Sequence, residues 1–175
     1  AYAIASDPAT GERVVTDGLL PRDGIDRLTG VERLQFGDGA LAFDLDGHAA
    51  QVARILQAVF GAESVDDREL AGIGLSVLDA GFAYGDVIAA AIATPLFAEL
   101  AGGRANAQFV DHLYRNVTGN LPGTEERAYF VGLLESGVFT QASLARIACD
   151  LDLTAARVDL VGLAESGLPY VPFAG

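Results

Sequence analysis

Basic residues are scarce in this chain. Its 11 Lys and Arg face 24 Asp and Glu, for a net charge of −13 and an isoelectric point near 4.3. Phosphate recognition needs clustered Lys and Arg, so the balance argues against nucleic acid or an anionic membrane as the main partner. Cysteine is rarer still. Cys149 is the one thiol, which excludes an intramolecular disulfide. It falls in the apolar series Leu144, Ile147, Ala148, Leu151 and reads as a buried hydrophobe, not a nucleophile. There are 2 histidines, His48 and His112, with no His-x-x-His or His-Glu-x-x-His spacing, so zinc has no ligand set. No apolar run is long enough to span a bilayer. The richest, Val87 to Ala93, stops at Thr94-Pro95. Nothing at the start resembles a Lys/Arg-led signal peptide, and the chain opens within a strand-like run, as a fragment of a longer protein would.

What is present is material for a core. Hydrophobic residues make up 51% and the mean hydropathy is +0.33, the opposite of a disordered composition. Residues 1–47 read as a short β segment. AYAIAS and ERVVTDGLL are strand-like runs around the turn-rich Asp7-Pro8-Ala9-Thr10-Gly11. Val31 to Phe36 alternate with a period of two, Asp38-Gly39 signals a hairpin turn, and Ala40 to Phe43 return. From Ala49 the period becomes helical, with Val52, Ile55, Leu56, Val59 and Phe60 on one stripe. Asp46 or Gly47 should cap this helix and Gly61 end it, and a second helix should open near Asp66. Further helices are expected over about 85–93, 96–101, 124–135 and 140–151. A last one should be capped by Thr154, with Val158 and Val161 inward and Gly167 at its end. The tail LPYVPFAG reads as extended, docked by Tyr170 and Phe173. The predicted fold is therefore α+β and mainly α: an N-terminal β-hairpin segment, then a helical domain over 48–175.

That helical domain reads as duplicated. AQVARILQAVFG at 50–61 matches AQFVDHLYRNVTG at 107–119, pairing Ile55 with Leu113, Leu56 with Tyr114, Val59 with Val117 and Gly61 with Gly119, an offset of 58. At a second marker Leu78 pairs with Leu134 and Gly81 with Gly137, an offset of 56. A two-residue change in the intervening loop and helix accounts for the difference. The units run over about 49–101 and 106–167, with Gly102-Gly103 as the hinge between them.

The second unit, FVDHLYRNVTGNLPGTEERAYFVGLLESGVFTQASLARIACDLDL, resembles the domain of unknown function family 4214. Phe109, Leu113, Tyr114, Arg115, Gly119, Pro122, Leu134 and Gly137 match its pattern, while Tyr129-Phe130 stand where the family usually has Trp. DGIDRLTGVERLQFGDGALAFDLDG resembles the β segment that precedes this module in RTX (repeats-in-toxin) and S-layer-like bacterial proteins. VDLVGLAESGLPYVPFAG is similar to the ends of such proteins. The resemblance implies a noncatalytic extracellular or cell-surface module of a type I-secreted, calcium-associated protein, with a structural, export or attachment role beside other domains of that protein. It supplies no ligand.

Calcium is the one candidate cofactor. Asp44-x-Asp46-Gly47 resembles the opening of a calcium loop, but the twelfth position is Ile55, so no EF-hand follows. Asp38, Asp44 and Asp46 are the candidate ligands at the β-to-helix junction, against the plainer reading of a hairpin turn and a helix cap. Asp17, Asp23 and Asp26 form a weaker acidic group. Ser136 and Ser166 lie in Glu-Ser-Gly, not in a nucleophile elbow, and Asp111-His112 point to different helix faces, so no catalytic set emerges. Tyr114, Arg115 and Tyr129 are the candidate ligand-binding residues. They could stack on a surface glycan, or, with Arg115 paired to a helix terminus or to Glu125 or Glu126, simply lock helices together.

Overall fold

The computed structural model describes residues 2–7, 10–19 and 24–173. The fold is α+β and mainly helical, as the pattern predicts. β1 (Tyr2–Ser6), β2 (Arg13–Asp17) and β3 (Ile25–Leu28) form one antiparallel sheet in the order β1-β2-β3. β4 (Arg33–Phe36) and β5 (Gly39–Ala42) form a hairpin, joined on its β5 side by the C-terminal β6 (Leu168–Tyr170). Phe36 pairs with Gly39, so the turn residues are Gly37 and Asp38, one position before the expected pair.

The helices follow: α1 (His48–Ile55), continued by a π-helical turn over Leu56–Phe60, then a 3-10 turn over Ala62–Asp66. Next come α2 (Arg68–Asp79), α3 (Tyr84–Ala93) and α4 (Pro95–Leu100). The second half holds α5 (Asn106–Thr118), α6 (Thr124–Glu135), α7 (Gln141–Asp150), α8 (Asp152–Arg157) and α9 (Leu160–Ser166). The duplication is exact in length. Residues 48–60 map onto α5 with an offset of 58, α2 onto α6 with 56, and α3 and α4 onto α7 and α8 with 57. The two-residue change lies in the first connection, where 61–67 in one unit faces 119–123 in the other. The first helix packs on α5 and α3 packs on α7, each against its own counterpart. That reciprocity is the signature of a two-fold arrangement, here closed within one chain.

Several boundaries differ from the sequence reading for identifiable reasons. Gly47 is the cap residue of α1, but Asp44 rather than Asp46 supplies the carboxylate, accepting from the Ala49 N–H at 3.2 Å. Asp67, not Asp66, caps α2, accepting from Glu69 and Leu70 at 3.0 Å each. The last helix is two. Thr154 is buried in α8 and its hydroxyl donates to the Ala148 carbonyl at 2.6 Å, so it ties α8 to α7 instead of opening a helix. Asp159 takes φ 50 and ends α8 at the position equivalent to Gly102, whose φ is 71. Its carboxylate then accepts from the Gly162 N–H and starts α9. The left-handed conformation is one that Asp tolerates better than most residues. Val161 consequently faces solvent, 79% exposed.

The tail is extended as expected, but Leu168 anchors it. Leu168 is fully buried, whereas Phe173 is 56% exposed. The Val171 N–H donates to the Arg68 carbonyl at 2.9 Å, laying the tail across α2 at Gly72. The first sheet is tied in by Arg13, whose guanidinium sits 4.1 Å from the Phe43 ring centre and donates to the Val31 carbonyl. The core lies where both units meet. Leu56, Leu75, Leu78, Ile88, Phe97 and Phe109 are all but inaccessible there, each contributing roughly 1.5–3 kcal/mol by burial.

Candidate functional site

Gln57, His112 and Asn116, at the centre of the molecule, join the two units. Every helix end leaves carbonyls without helical partners. Here the equivalent carbonyls of both first helices are capped by side chains. Ala58 accepts from the Asn116 side-chain amide at 3.1 Å and Val59 from His112 Nε2 at 2.8 Å. Asn116 and Val117, their counterparts at an offset of 58, accept from Gln57 Nε2 at 2.8 Å and Arg157 Nε at 2.7 Å. Three of the four donors reach across from the other unit.

His112 is buried and its ring meets Phe97 edge-on, 5.4 Å between centres. Because a carbonyl only accepts, Nε2 carries the proton. Burial is the main cause that pulls its pKa below the ordinary value, with the Arg115 charge adding to it and the Val59 hydrogen bond opposing. The imidazole is therefore neutral in the fold. The unfolded chain gains a proton near pH 6.5 that the folded chain resists, so this contribution to stability is complete above that pH and declines as the pH falls below it. Denaturant unfolding between pH 7 and 5 should show the decline. His112→Gln should flatten that part of the profile, and an unchanged slope would remove His112 as its source.

Beside this seam lies a hollow of about 260 Å³ between α5, α6, α7 and α8. Leu113, Tyr114, Phe130, Leu144 and Ile147 line it, and its walls are almost wholly carbon. The first unit holds its equivalent, about 250 Å³, walled by Ile55, Leu56, Gly74, Val87 and Ala90. Each of these five is the counterpart of one of the former under the helix offsets.

The candidate ligand-binding residues separate around the first hollow. Tyr114 lines it, and its hydroxyl donates to Glu126 at 3.0 Å. That hydrogen bond and the neighbouring charge raise the Tyr114 pKa. Tyr129 is 63% exposed and stands edge-on to Phe130, 5.4 Å away, outside the lining. Arg115 is exposed and makes no ion pair among the described residues, so the expected pairing with Glu125 or Glu126 does not form. The cross-helix ion pair belongs to Arg127, which grips Asp111 with both Nε and Nη2, at 2.7 and 2.9 Å.

The candidate calcium ligands have different neighbours. Asp38 is in the β4–β5 turn, on the cleft lined by Tyr2, Phe36 and Arg68. Asp46 lines a different cleft, with Arg54, Tyr84 and Arg146. Asp44 is engaged by the Arg33 guanidinium and by the Ala49 N–H. Arg33 also reaches Asp79, which holds His48 Nδ1 at 2.6 Å. Among the described residues no group of three or more His, Cys, Asp or Glu is gathered; calcium also accepts backbone carbonyls and waters as ligands. In the weaker acidic group Asp17 is buried and accepts from the Leu19 N–H, Asp26 is exposed on β3, and Asp23 lies outside the described residues. Burial pushes the Cys149 thiol up to about 12, which leaves it protonated and unreactive. Ser136 and Ser166 turn back onto the Leu133 and Gly162 carbonyls of their own helices.

The family model described as Domain of unknown function (DUF4214) matches residues 89–146. This stretch starts within α3 and ends within α7. Its 58 residues are one repeat period, entered in the third helix of the first unit. No curated protein and no solved structure matches the chain. Sequence reasoning missed Gln57, Asn116 and Arg157. The available signal was a polar side chain at 57 within an otherwise apolar run, facing a carbonyl that no local residue could serve.

Proposed function

We propose that the chain is a noncatalytic attachment module of an exported bacterial protein, acting outside the cell or on its surface. One observation carries this reading. The buried polar side chains of the seam are committed to helix ends, and the hollow beside them is lined almost wholly by carbon, which suits contact with another macromolecule. The extracellular setting comes from the resemblance of the β segment and the C-terminal stretch to RTX and S-layer-like proteins. The test is retention of the fluorescently labelled chain on intact bacterial cells. Saturable retention, competed by unlabelled chain, is expected. Washing away like an unrelated acidic protein would overturn the reading.

Glycan attachment is the second reading, favoured by the exposed Tyr129 ring. A sugar seated there would need hydroxyl partners, which Glu125 and Arg115 could supply.

Calcium association is tested by thermal unfolding in millimolar calcium with magnesium as control. A specific site occupied at about a hundred times its dissociation constant adds roughly 2.7 kcal/mol. With Arg33 holding Asp44, equal small shifts in both metals are expected, unchanged in Asp46→Ala. A calcium-specific rise that Asp46→Ala abolishes would establish the junction as a site.

A further inference from the structure

We propose that the cleft where the two sheets meet α2 binds a neutral pyranose sugar. This cleft is separate from the carbon-lined hollow and from Tyr129. The proposal goes beyond the attachment reading and does not rest on it.

Three parts of the fold build the cleft. Its volume is about 460 Å³, within the range of roughly 300–1,000 Å³ that holds small ligands. β1 of the first sheet brings Tyr2, and the β4–β5 hairpin of the second brings Phe36 and Asp38. Arg68 comes from the first turn of α2. The two rings are neighbours, 5.2 Å between centres, with planes 32° from parallel. Arg68 Nη1 lies 3.6 Å from the place a Cβ would take at Gly39, so the guanidinium rests against the turn that carries Asp38. The backbone beneath it is fixed on both sides. Asp67 caps the helix just before Arg68, and the Arg68 carbonyl accepts from the Val171 N–H.

The charged groups here are unlike most others in the chain. Most of its arginines hold a carboxylate or a backbone carbonyl. Among the described residues the Arg68 guanidinium and the Asp38 carboxylate each lack a hydrogen bond or ion pair. They line one cleft with opposite charges and do not close it on each other.

That combination selects the ligand. An anion would meet Asp38 and a cation would meet Arg68. A hydrocarbon would strip water from both and replace none of its hydrogen bonds. A zwitterion would offer ion pairs alone, and both side chains are exposed, where such pairs gain little. A pyranose answers every wall. Its hydroxyls donate to the carboxylate and accept from the guanidinium, and both are charge-assisted hydrogen bonds. The slightly positive C–H face of its ring lies on the negative face of an aromatic ring.

The test titrates the isotope-labelled full chain with methyl glucoside, methyl galactoside and methyl mannoside in turn, following the amide signals of Gly37 and Gly39. Saturable shifts of both signals are expected with at least one of the three at millimolar concentration. Affinity should fall by about tenfold or more in Arg68→Gln and in Asp38→Ser. Tyr2→Leu, which keeps bulk and removes the aromatic face, should weaken binding as well. Both charged positions are exposed, and a retained melting temperature separates lost binding from a lost fold. No saturable shift with any of the three sugars would overturn the site, as would affinity indifferent to Arg68→Gln and Asp38→Ser. Equal shifts with free leucine would overturn the sugar in favour of an amino acid. Binding abolished by Tyr129→Ala and untouched by Arg68→Gln would move the sugar to the Tyr129 ring and overturn this cleft.

Discussion

Phe109→Ala should lower the free energy of unfolding by about 3–5 kcal/mol, read as a shift of the denaturant midpoint with the slope retained. Phe109 is fully buried at the start of α5, its ring 5.9 Å from that of Phe97 on α4. The loss combines two effects. The removed ring carbons forfeit their transfer free energy, and the space they leave is enclosed by both units. It cannot close without moving α4 against α5, and the polar caps between the first helix and α5 resist that movement. A loss below about 1 kcal/mol would show that the seam is loosely packed, and would undermine the closed two-fold arrangement.

Gly72→Val should cost about 1–3 kcal/mol or more and release the C-terminal strand. Gly72 lies mid-helix, where glycine is ordinarily less favourable than alanine by roughly 0.5–1 kcal/mol. Its backbone is ordinary; what requires glycine is proximity. A Cβ built there overlaps the Val171 carbonyl oxygen, a backbone atom with no side-chain freedom to yield. The tail would have to lift, breaking the Val171–Arg68 hydrogen bond and straining the β5–β6 pairing. Accelerated proteolysis after Leu168, together with the lowered midpoint, would report the release. A stabilised protein with a protected tail would mean that the strand does not cross α2 at this point.

Much of the helical body was legible because local chemistry wrote it. Thr140 and Ser143 cap each other across the first turn of α7, the Thr140 hydroxyl accepting from the Ser143 N–H and the Ser143 hydroxyl from the Thr140 N–H. Thr94 and Pro95 open α4 in the same local way. The stripe at Val52, Ile55, Leu56 and Val59 is buried, as its period requires. The break at Asp159 was illegible, because a left-handed aspartate leaves no composition signal of the kind Gly102 does. At the candidate site, Tyr114 was found through its place in the LYR motif. The rest of its hollow comes from α6, α7 and α8, whose residues share no run of sequence with it.

The sequence by itself determined the α+β class, the helix stripes, the two units and the two-residue difference between them. Each of these follows from periodicity, turn chemistry or internal likeness, which act over a few residues or between copies of one pattern. Only the tertiary structure decided that the units close on each other, that Gln57, His112 and Asn116 cap carbonyls more than fifty residues away, and that Asp44 is held by Arg33 while Asp38 and Asp46 line different clefts. It also decided that β6 returns to complete the N-terminal hairpin sheet. These depend on where orphaned backbone groups and bare helix faces meet across the chain, and a buried carbonyl is satisfied by whatever donor the packing brings to it.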